Sequence, residues 1–570
     1  TIDLYNELKK IVDLIPSDIG GGSSISKTTL MGYIALQNNL KNYVEIGVYR
    51  GRSFFPMVRV MQLCGGTAYG IDPYNKADVI EYEIKEDKRS LVEEFINKTD
   101  FSQIYSEVLE FRSNSSFISS SEIFRLKSSD AIDYFKKNHI KIDMLHIDGN
   151  HDTVHVLEDL NLYLPLVNDG GFIILDDTDW DSVKTALNQA IIFKTKVIFI
   201  ENDFAILQKM TSIESDEIKN FVGQKRLEIV FNLIKNISNE SSPLNIQGEN
   251  QFITLPKVSV LLVSYNQQAY IAEAIESILA QQGNFVMELI VADDYSTDRT
   301  LSITKSYLKY IENNPKFQIK ILGSDHNIGI EKNYQRALHA CTGDYFAICE
   351  GDDYWLSVNK IQTQIEFMRS HPFYSFCFHD MLIYWQKEDR FDLFEEQIKL
   401  NTREMLSTKE LILNNFIGNF AVSLYDSKYI NKLPPQLFDV NFGEWMFNIF
   451  YSQFGQIGHV PLEMSVYRKH LGGFWSSKSA ANSNANLHKM ISTYNKLLNF
   501  EYDQEFRSIQ QRQELSGFIE MKIDLLIIDD FFPDPISGFR WQEFLTYLTE
   551  FPSSTVATTG DGRFHHDKII

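Results

Sequence analysis

Cysteine is scarce: Cys64, Cys341, Cys349 and Cys377 are the four in 570 residues. They show neither the paired spacing of a zinc site nor the density of a disulfide framework, so a reducing compartment is expected and the chain reads as cytoplasmic. Positive charge is short as well, with 54 Lys and Arg against 76 Asp and Glu and a formal net charge of -22. That balance argues against a nucleic-acid binder, which needs a basic face to displace counterions from phosphates. It also disfavours broad docking on an anionic membrane, although a local basic patch leaves peripheral association open. No run approaches the roughly 18 unbroken apolar residues of a membrane span. The opening TIDLYNELKK reads as an amphipathic helix rather than a signal peptide. Internal repeats and low-complexity tracts are missing too.

What is present is an ordinary globular composition, 44% hydrophobic and 13% aromatic, in a chain too long for one core. Apolar strands alternate with helical stretches twice over, the mark of parallel α/β sheets with crossover helices. The first series runs YVEIGV, TAYGID, IDMLHID, GGFIILDD and KVIFI; the second runs VSVLLVSY, ELIVADD, QIKILG and DYFAICE. The expected organisation is an α/β domain over 1–210, a helical linker over 211–255, a second α/β domain over 256–480 and a helical region over 481–520. From 521 to 570 a strand, turn and helix pattern returns, expected as the start of a further α/β domain continuing beyond residue 570.

Chemistry concentrates where strands end. YVEIGVYRGRSF places Glu45, Gly47 and Gly51 where a strand turns into a helix, and glycine there lets backbone approach a ligand. The spacing is E-x-G-x-x-x-G rather than G-x-G-x-x-G, which makes a dinucleotide the weaker reading. The next strand ends in Asp72, whose carboxylate could accept both hydroxyls of a ribose. IDMLHIDGNHD then ends in Asp148 and GGFIILDDTDW in Asp176 and Asp177, so adjacent parallel strands would gather three hard oxygen ligands suited to Mg²⁺. His151 lies three positions past Asp148, within reach of a substrate hydroxyl's proton. The plainer reading is that Asp148 and Asp177 cap helices.

These residues, over about 40 to 205, resemble a class I S-adenosylmethionine-dependent O-methyltransferase, in the metal-dependent branch similar to catechol-type and macrolide-sugar enzymes. The resemblance implies a Rossmann-like fold. It implies that Glu45, Gly47, Gly51 and Asp72 bind the cofactor, that Ser129 and Asp130 of SSDAIDYF approach its adenine, that Asp148, Asp176 and Asp177 hold Mg²⁺, and that His151 acts as base.

In the second series, VADDYSTDRT ends a strand with Asp293 and Asp294, and GDYFAICEGDDYW ends another with Glu350, Asp352 and Asp353. Three carboxylates at the mouth of an apolar strand cost several kcal/mol each if buried unpaired, so they are expected to meet water or a cation. Both turns face one sheet edge, where α/β folds bind ligands. About residues 256 to 476, with SYN, DDxSxD, NxG, GDY and the acid-x-D-D tetrad in order, resemble a family 2 glycosyltransferase of GT-A fold.

That resemblance implies a nucleotide-sugar donor, a UDP-sugar first among them, with Asp293 and Asp294 near base and ribose. Asp352 would hold Mn²⁺ or Mg²⁺, with Glu350 and Asp353 beside the donor; Glu350, where the family usually has Asp, could reach metal through water. Glu444 of NFGEWMFNIF is expected as the base of an inverting transfer, its plainer role being to satisfy a helix dipole. In VYRKHLGGFWS, His470 is a candidate metal or diphosphate contact, Arg468 a supporting cation and Trp475 an acceptor-site ring. His379 and Asp380 are candidates for the acceptor's edge.

Joined, these readings predict a bifunctional enzyme of glycan or polysaccharide biosynthesis, with S-adenosylmethionine and Mg or Mn as cofactors and a saccharide or lipid-linked acceptor. The alternative is an active glycosyltransferase carrying a degenerate methyltransferase-like scaffold; a binding protein built on inactive folds is a third reading.

Overall fold

A computed structural model of the chain describes residues 1–17, 24–84, 86–192, 195–210, 216–238, 255–311, 314–398, 400, 406–439, 443–471 and 480–512. Two compact units form, one around each of two sheets. The first sheet contains β1 (Asn42–Ile46), β2 (Thr67–Ile71), β3 (Ser121–Phe124), β4 (Ile142–Ile147), β5 (Val167–Asp176), β6 (Thr195–Ile200) and β7 (Phe204–Lys209) in the order β3-β2-β1-β4-β5-β7-β6. β1 to β5 run parallel and β7 runs antiparallel to both its neighbours.

Alternating side chains send these strands into two cores, as a sheet covered on both faces requires. Tyr43, Met144, Phe172, Ile174 and Ile206 enter one, and Val44, Leu145, Ile147, Ile173 and Leu207 the other. The opening helix Ile2–Val12 buries Leu4 and Leu8 and is amphipathic, as its sequence suggests. The helix Glu217–Ser238 corrects one expectation. Instead of bridging as a linker it packs into the first core, with Phe231 5.1 Å from Phe199 and 5.7 Å from Phe204 between ring centres.

The second sheet is built from β8 (Lys257–Ser264), β9 (Val286–Asp293), β10 (Phe317–Leu322), β11 (Tyr345–Glu350), β12 (Tyr354–Trp355), β13 (Tyr374–Trp385), β14 (Arg390–Leu393), β15 (Ser423–Asp426) and β16 (Gln456–Lys469). Its order is β10-β9-β8-β11-β15-β13-β16-β12, with β14 on β13. β8 to β11 are the four strands read from the sequence, and they run parallel. Ile491, Tyr494, Tyr502 and Phe506 from the region after 480 join the core of this unit. Among the described residues no helix is long and apolar enough to cross a membrane. All four cysteines are free thiols. Trp475 and the pattern over 521–570 lie outside the described residues.

Candidate active sites

At the carboxyl edge of the first sheet, the turn after β1 presses against the turn after β4. A Cβ on Gly47, whose φ is +93°, would lie 1.9 Å from the Asp148 carbonyl oxygen, so only glycine fits. Gly47 donates its N–H to the Ile71 carbonyl at 2.9 Å, and Asp148 donates to that of Ile46 at 2.8 Å. Asp72 ends β2 and accepts from the backbone N–H groups of Tyr49, at 2.9 Å, and Tyr74, at 2.7 Å. Burial raises its pKa against those bonds. Ser129 and Asp130 are exposed in the first turn of the helix Ser128–Lys137, which follows β3.

Glu45 departs from expectation. It is fully buried, and side chains of the chain itself occupy its carboxylate: the Tyr43 hydroxyl donates to it, and Ser53 Oγ donates at 2.7 Å. Its role is to brace the glycine turn. The physical reason is strand register. Tyr43 and Glu45 share a face of β1, and Glu45 pairs in register with His146 of β4 on the inner side of the sheet.

The metal-ligand set divides. Asp176 is buried, and the ammonium of Lys27, 3% exposed, pairs with its Oδ2. His146 Nε2 donates to the same oxygen at 3.2 Å, while its Nδ1 faces the Tyr43 hydroxyl at 3.0 Å. Burial would lower the His146 pKa, but Asp176 and Glu45 raise it to about 9. Burial likewise opposes the ionised form of Asp176, and Lys27 and His146 overcome it, holding the carboxyl well below its usual range. A divalent ion about 4 Å from the Lys27 ammonium would be repelled by roughly 8 kcal/mol at an effective dielectric of 20.

The outer residues are open. Ligand atoms of Asp148, His151 and Asp177 lie within 4.8 Å of one another, and all three residues are half-buried. His151 Nδ1 donates to Glu81 Oε1 at 2.5 Å, its Nε2 is 2.7 Å from Asp177 Oδ2, and Trp180 stacks on its ring at 5.0 Å. Burial opposes its charge, but Asp177 and Glu81 raise its pKa well above the usual value. Asp148 is shared with a second such group, in which its ligand atoms and those of His146 and Asp176 also lie within 4.8 Å of one another, and two carboxylates with an imidazole suit a divalent cation in either.

In the second unit the two motif loops are knitted together. Asn266 of SYN donates its N–H to Ser296 Oγ at 2.9 Å, and its side-chain oxygen accepts from Thr297 N at 2.8 Å. Asp293 accepts from Ser296 Oγ at 2.6 Å, and Asp294 from the Ile328 and Gly329 N–H groups at 2.8 and 3.0 Å. Asp294 thus fastens the DDxSxD loop to the NxG loop, while Asp293 closes the DDxSxD turn on itself. The exposed rings on this edge are Tyr265 and Tyr295, missed in the sequence reading although each adjoins a motif.

The acidic turn is corrected at two of its three positions. Asp353 is buried, accepting from Asn419 Nδ2 at 2.8 Å and Arg468 N at 2.9 Å, so it ties β16 to the turn instead of facing a donor. Glu350 accepts from the Tyr334 hydroxyl at 2.6 Å. Burial and the neighbouring Asp352 push its pKa up to about 8. Asp352 is left as the carboxylate that meets a potential ligand, with His470 Nε2 3.0 Å from its Oδ2. That carboxylate–imidazole pair fits a divalent cation.

Arg468 is likewise corrected. Its guanidinium pairs with Glu273, donates to the Asp352 carbonyl at 2.9 Å and is ringed by Tyr270, Tyr354 and Tyr384 at 5.0, 5.4 and 5.5 Å. It shapes the turn rather than offering charge to a diphosphate. His379 is fully buried against Ser465, and Asp380 bonds His459 at 2.7 Å, both at the bulge between β13 and β16. They are structural.

Glu444 opens the helix Glu444–Tyr451. Asn415 Nδ2 lies 3.4 Å from its Oε1, and burial pushes its pKa up to about 7. Its charge is felt at both Glu350 and Tyr334, which places it in the same electrostatic neighbourhood as Asp352.

Residues 44–178 match the family model described as Methyltransferase domain, and residues 259–427 match Glycosyl transferase family 2. An uncharacterized protein of Mycobacterium tuberculosis is 33% identical over 220 residues, 39% of this chain and 61% of that protein. The chain thus spans 61% of the length of this relative. A Campylobacter jejuni protein named GalNAc(5)-diNAcBac-PP-undecaprenol beta-1,3-glucosyltransferase is 26% identical over 182 residues, 31% of this chain and 56% of that protein. Among solved structures, S. aureus TarS with UDP-GlcNAc matches at 18% identity and TM-score 0.33, covering 46% of this chain and 73% of TarS. The O-methyltransferase NovP matches at 18% identity and TM-score 0.28, covering 34% of this chain and 84% of NovP.

Proposed function

The chain joins a methyltransferase domain to a family 2 glycosyl transferase domain, and we propose that it is a bifunctional glycan-building enzyme. One unit transfers a sugar with inversion from a nucleotide-sugar donor to a saccharide or lipid-linked hydroxyl; the other methylates a hydroxyl with S-adenosylmethionine. The observation that carries the sugar-transfer reading is the pairing of Asp352 with His470, 3.0 Å apart, in the same electrostatic neighbourhood as Glu350 and Glu444.

In this mechanism Tyr265 and Tyr295 offer exposed rings on which a nucleobase stacks. Asp352 and His470 would hold a divalent cation, whose chemistry there would be to neutralise charge on a departing diphosphate. Glu444 takes the acceptor hydroxyl's proton. Its pKa near 7 suits that task, because a base poised near the working pH is both available and strong enough.

For methyl transfer, Gly47 and Gly51 give the cofactor a backbone surface free of side chains, Asp72 accepts from its ribose, and Ser129 and Asp130 flank the adenine. Asp148 and Asp177 would hold a metal ion, whose chemistry there would be to polarise the acceptor hydroxyl. A 740 Å³ hollow lined by Thr178, Asp179, Lys184, Asn188, Glu201 and Asn202 adjoins Asp177 and offers hydrogen-bonding groups to a saccharide.

A panel of UDP-, GDP- and dTDP-sugars tests the first half. One donor should be hydrolysed with Mn²⁺ present and spared with EDTA, and Asp352→Asn should remove that hydrolysis. Metal-independent hydrolysis, or full hydrolysis by the variant, contradicts the assignment.

A further inference from the structure

The last residues of β16 send successive side chains to opposite faces of the second sheet. Arg468 and His470 turn to the Asp352 side, where Tyr270 touches both, and the charge of Arg468 is spent on Glu273. Tyr467 and Lys469 turn the other way, beside Ile383 and Trp385, their register partners on β13.

The Lys469 ammonium lies 4.3 Å from the centre of the Trp385 ring and 5.9 Å from that of Tyr467. An aromatic face attracts an ammonium but carries no net charge, so Trp385 fixes the head of this lysine without neutralising it. The acids of the adjoining hairpin are engaged elsewhere: Asp392 pairs with Arg390 at 2.8 Å, and Asp389 accepts from the Tyr384 hydroxyl at 3.0 Å. Among the described residues no carboxylate pairs with Lys469, which is half-buried. A cation partly withdrawn from water and lacking a counter-ion is completed by an anionic ligand.

Its face of the sheet is also the one that looks onto the candidate base. Met381 and Tyr467 pack with the core that holds Met446 and Phe447 of the helix Glu444–Tyr451. The Tyr467 hydroxyl feels the charges of Asp353, Glu350, Glu444 and Asp352.

We propose that Lys469, held in place by Trp385, is the anion-binding residue of the acceptor site, and that the acceptor carries an oxyanion, phosphate or carboxylate, beside the hydroxyl to be glycosylated. The inference rests on reading this unit as a glycosyltransferase with Glu444 as its base. It narrows the acceptor from any saccharide to an acidic or phosphate-linked one.

Two matched pairs of probes, titrated calorimetrically into the full chain, test it. One sets methyl glucuronide against methyl glucoside; the other sets decyl diphosphate-linked N-acetylglucosamine against decyl N-acetylglucosaminide. In one pair the charged member should bind about tenfold or more tightly at low salt, the scale of a hydrogen bond to a charged group, and lose that advantage as salt rises. The pair that shows it identifies the source of the anion. Lys469→Met should bring the charged member down to the affinity of its neutral partner while the neutral member binds as before, which shows the variant to be folded. Lys469→Arg should keep most of the advantage. Equal binding or no binding within both pairs, or an advantage that survives Lys469→Met, overturns the proposal. Failure of every nucleotide sugar to be hydrolysed with Mn²⁺ would instead remove the glycosyltransferase reading on which the proposal stands.

Discussion

At the scale of single residues, burial decides which carboxylates can do chemistry. Glu444 has its pKa pushed up to about 7 from 4.5 by burial, opposed by its own backbone N–H and by Asn415. Because the base must be ionised, kcat/KM for sugar transfer should rise with pH through about 7 and level off above it. Asn415 favours the charged form, so Asn415→Ala should move that limb to higher pH, a shift read directly from the pH profile. Glu444→Gln should lower kcat by about 10²- to 10⁴-fold while leaving donor binding intact, measured by turnover beside calorimetry. The same burial carries a stability cost. Between pH 4.5 and about 7 the folded chain holds a proton at Glu444 that the unfolded chain has released, so this group's contribution falls as pH rises across that window.

Gly47 makes a second residue-scale test. Gly47→Ala would drive a methyl group against the Asp148 carbonyl and force an L side chain to φ +93°. The variant should lose S-adenosylmethionine binding and melt several degrees lower, both measurable on one sample.

At the scale of elements, the sequence made the strands legible because a parallel strand covered on both faces is an unbroken apolar run with an acidic or glycine turn at its end. Asp72, Asp148, Asp177, Asp294 and Asp352 were found that way, and all lie at carboxyl edges. What it hid was the partner of each carboxylate. Lys27 precedes β1 by about a helix length and carries no local signal. Tyr334 and Asn419 reach Glu350 and Asp353 across sequence separations of 16 and 66. Hence three acids in four residues read as one ligand set, when tertiary partners had claimed two. One signal was available: a histidine inside the apolar strand IDMLHID, in register with Glu45, marks a buried polar network.

The helix Glu217–Ser238 was misjudged for a related reason, since a polar stretch beside it suggested a bridge. Phe231→Ala should cost the first unit about 3–5 kcal/mol, a fall in its thermal midpoint that a true linker helix would not show.

At the scale of the molecule, two sheets of different topology each end in a carboxyl edge that gathers metal-compatible groups: Asp148 and Asp177 with His151 in one, and Asp352 with His470 in the other. The proposed pairing of two transfer chemistries in one chain implies two separable binding events. Calorimetric titration of the full chain with S-adenosylmethionine, then with Mn²⁺ and the donor sugar nucleotide chosen by the panel, measures them together. The account predicts two isotherms, Gly47→Ala removing the first and Asp352→Asn removing the second, each leaving the other in place. No uptake of S-adenosylmethionine, or donor binding undiminished in Asp352→Asn, would contradict it.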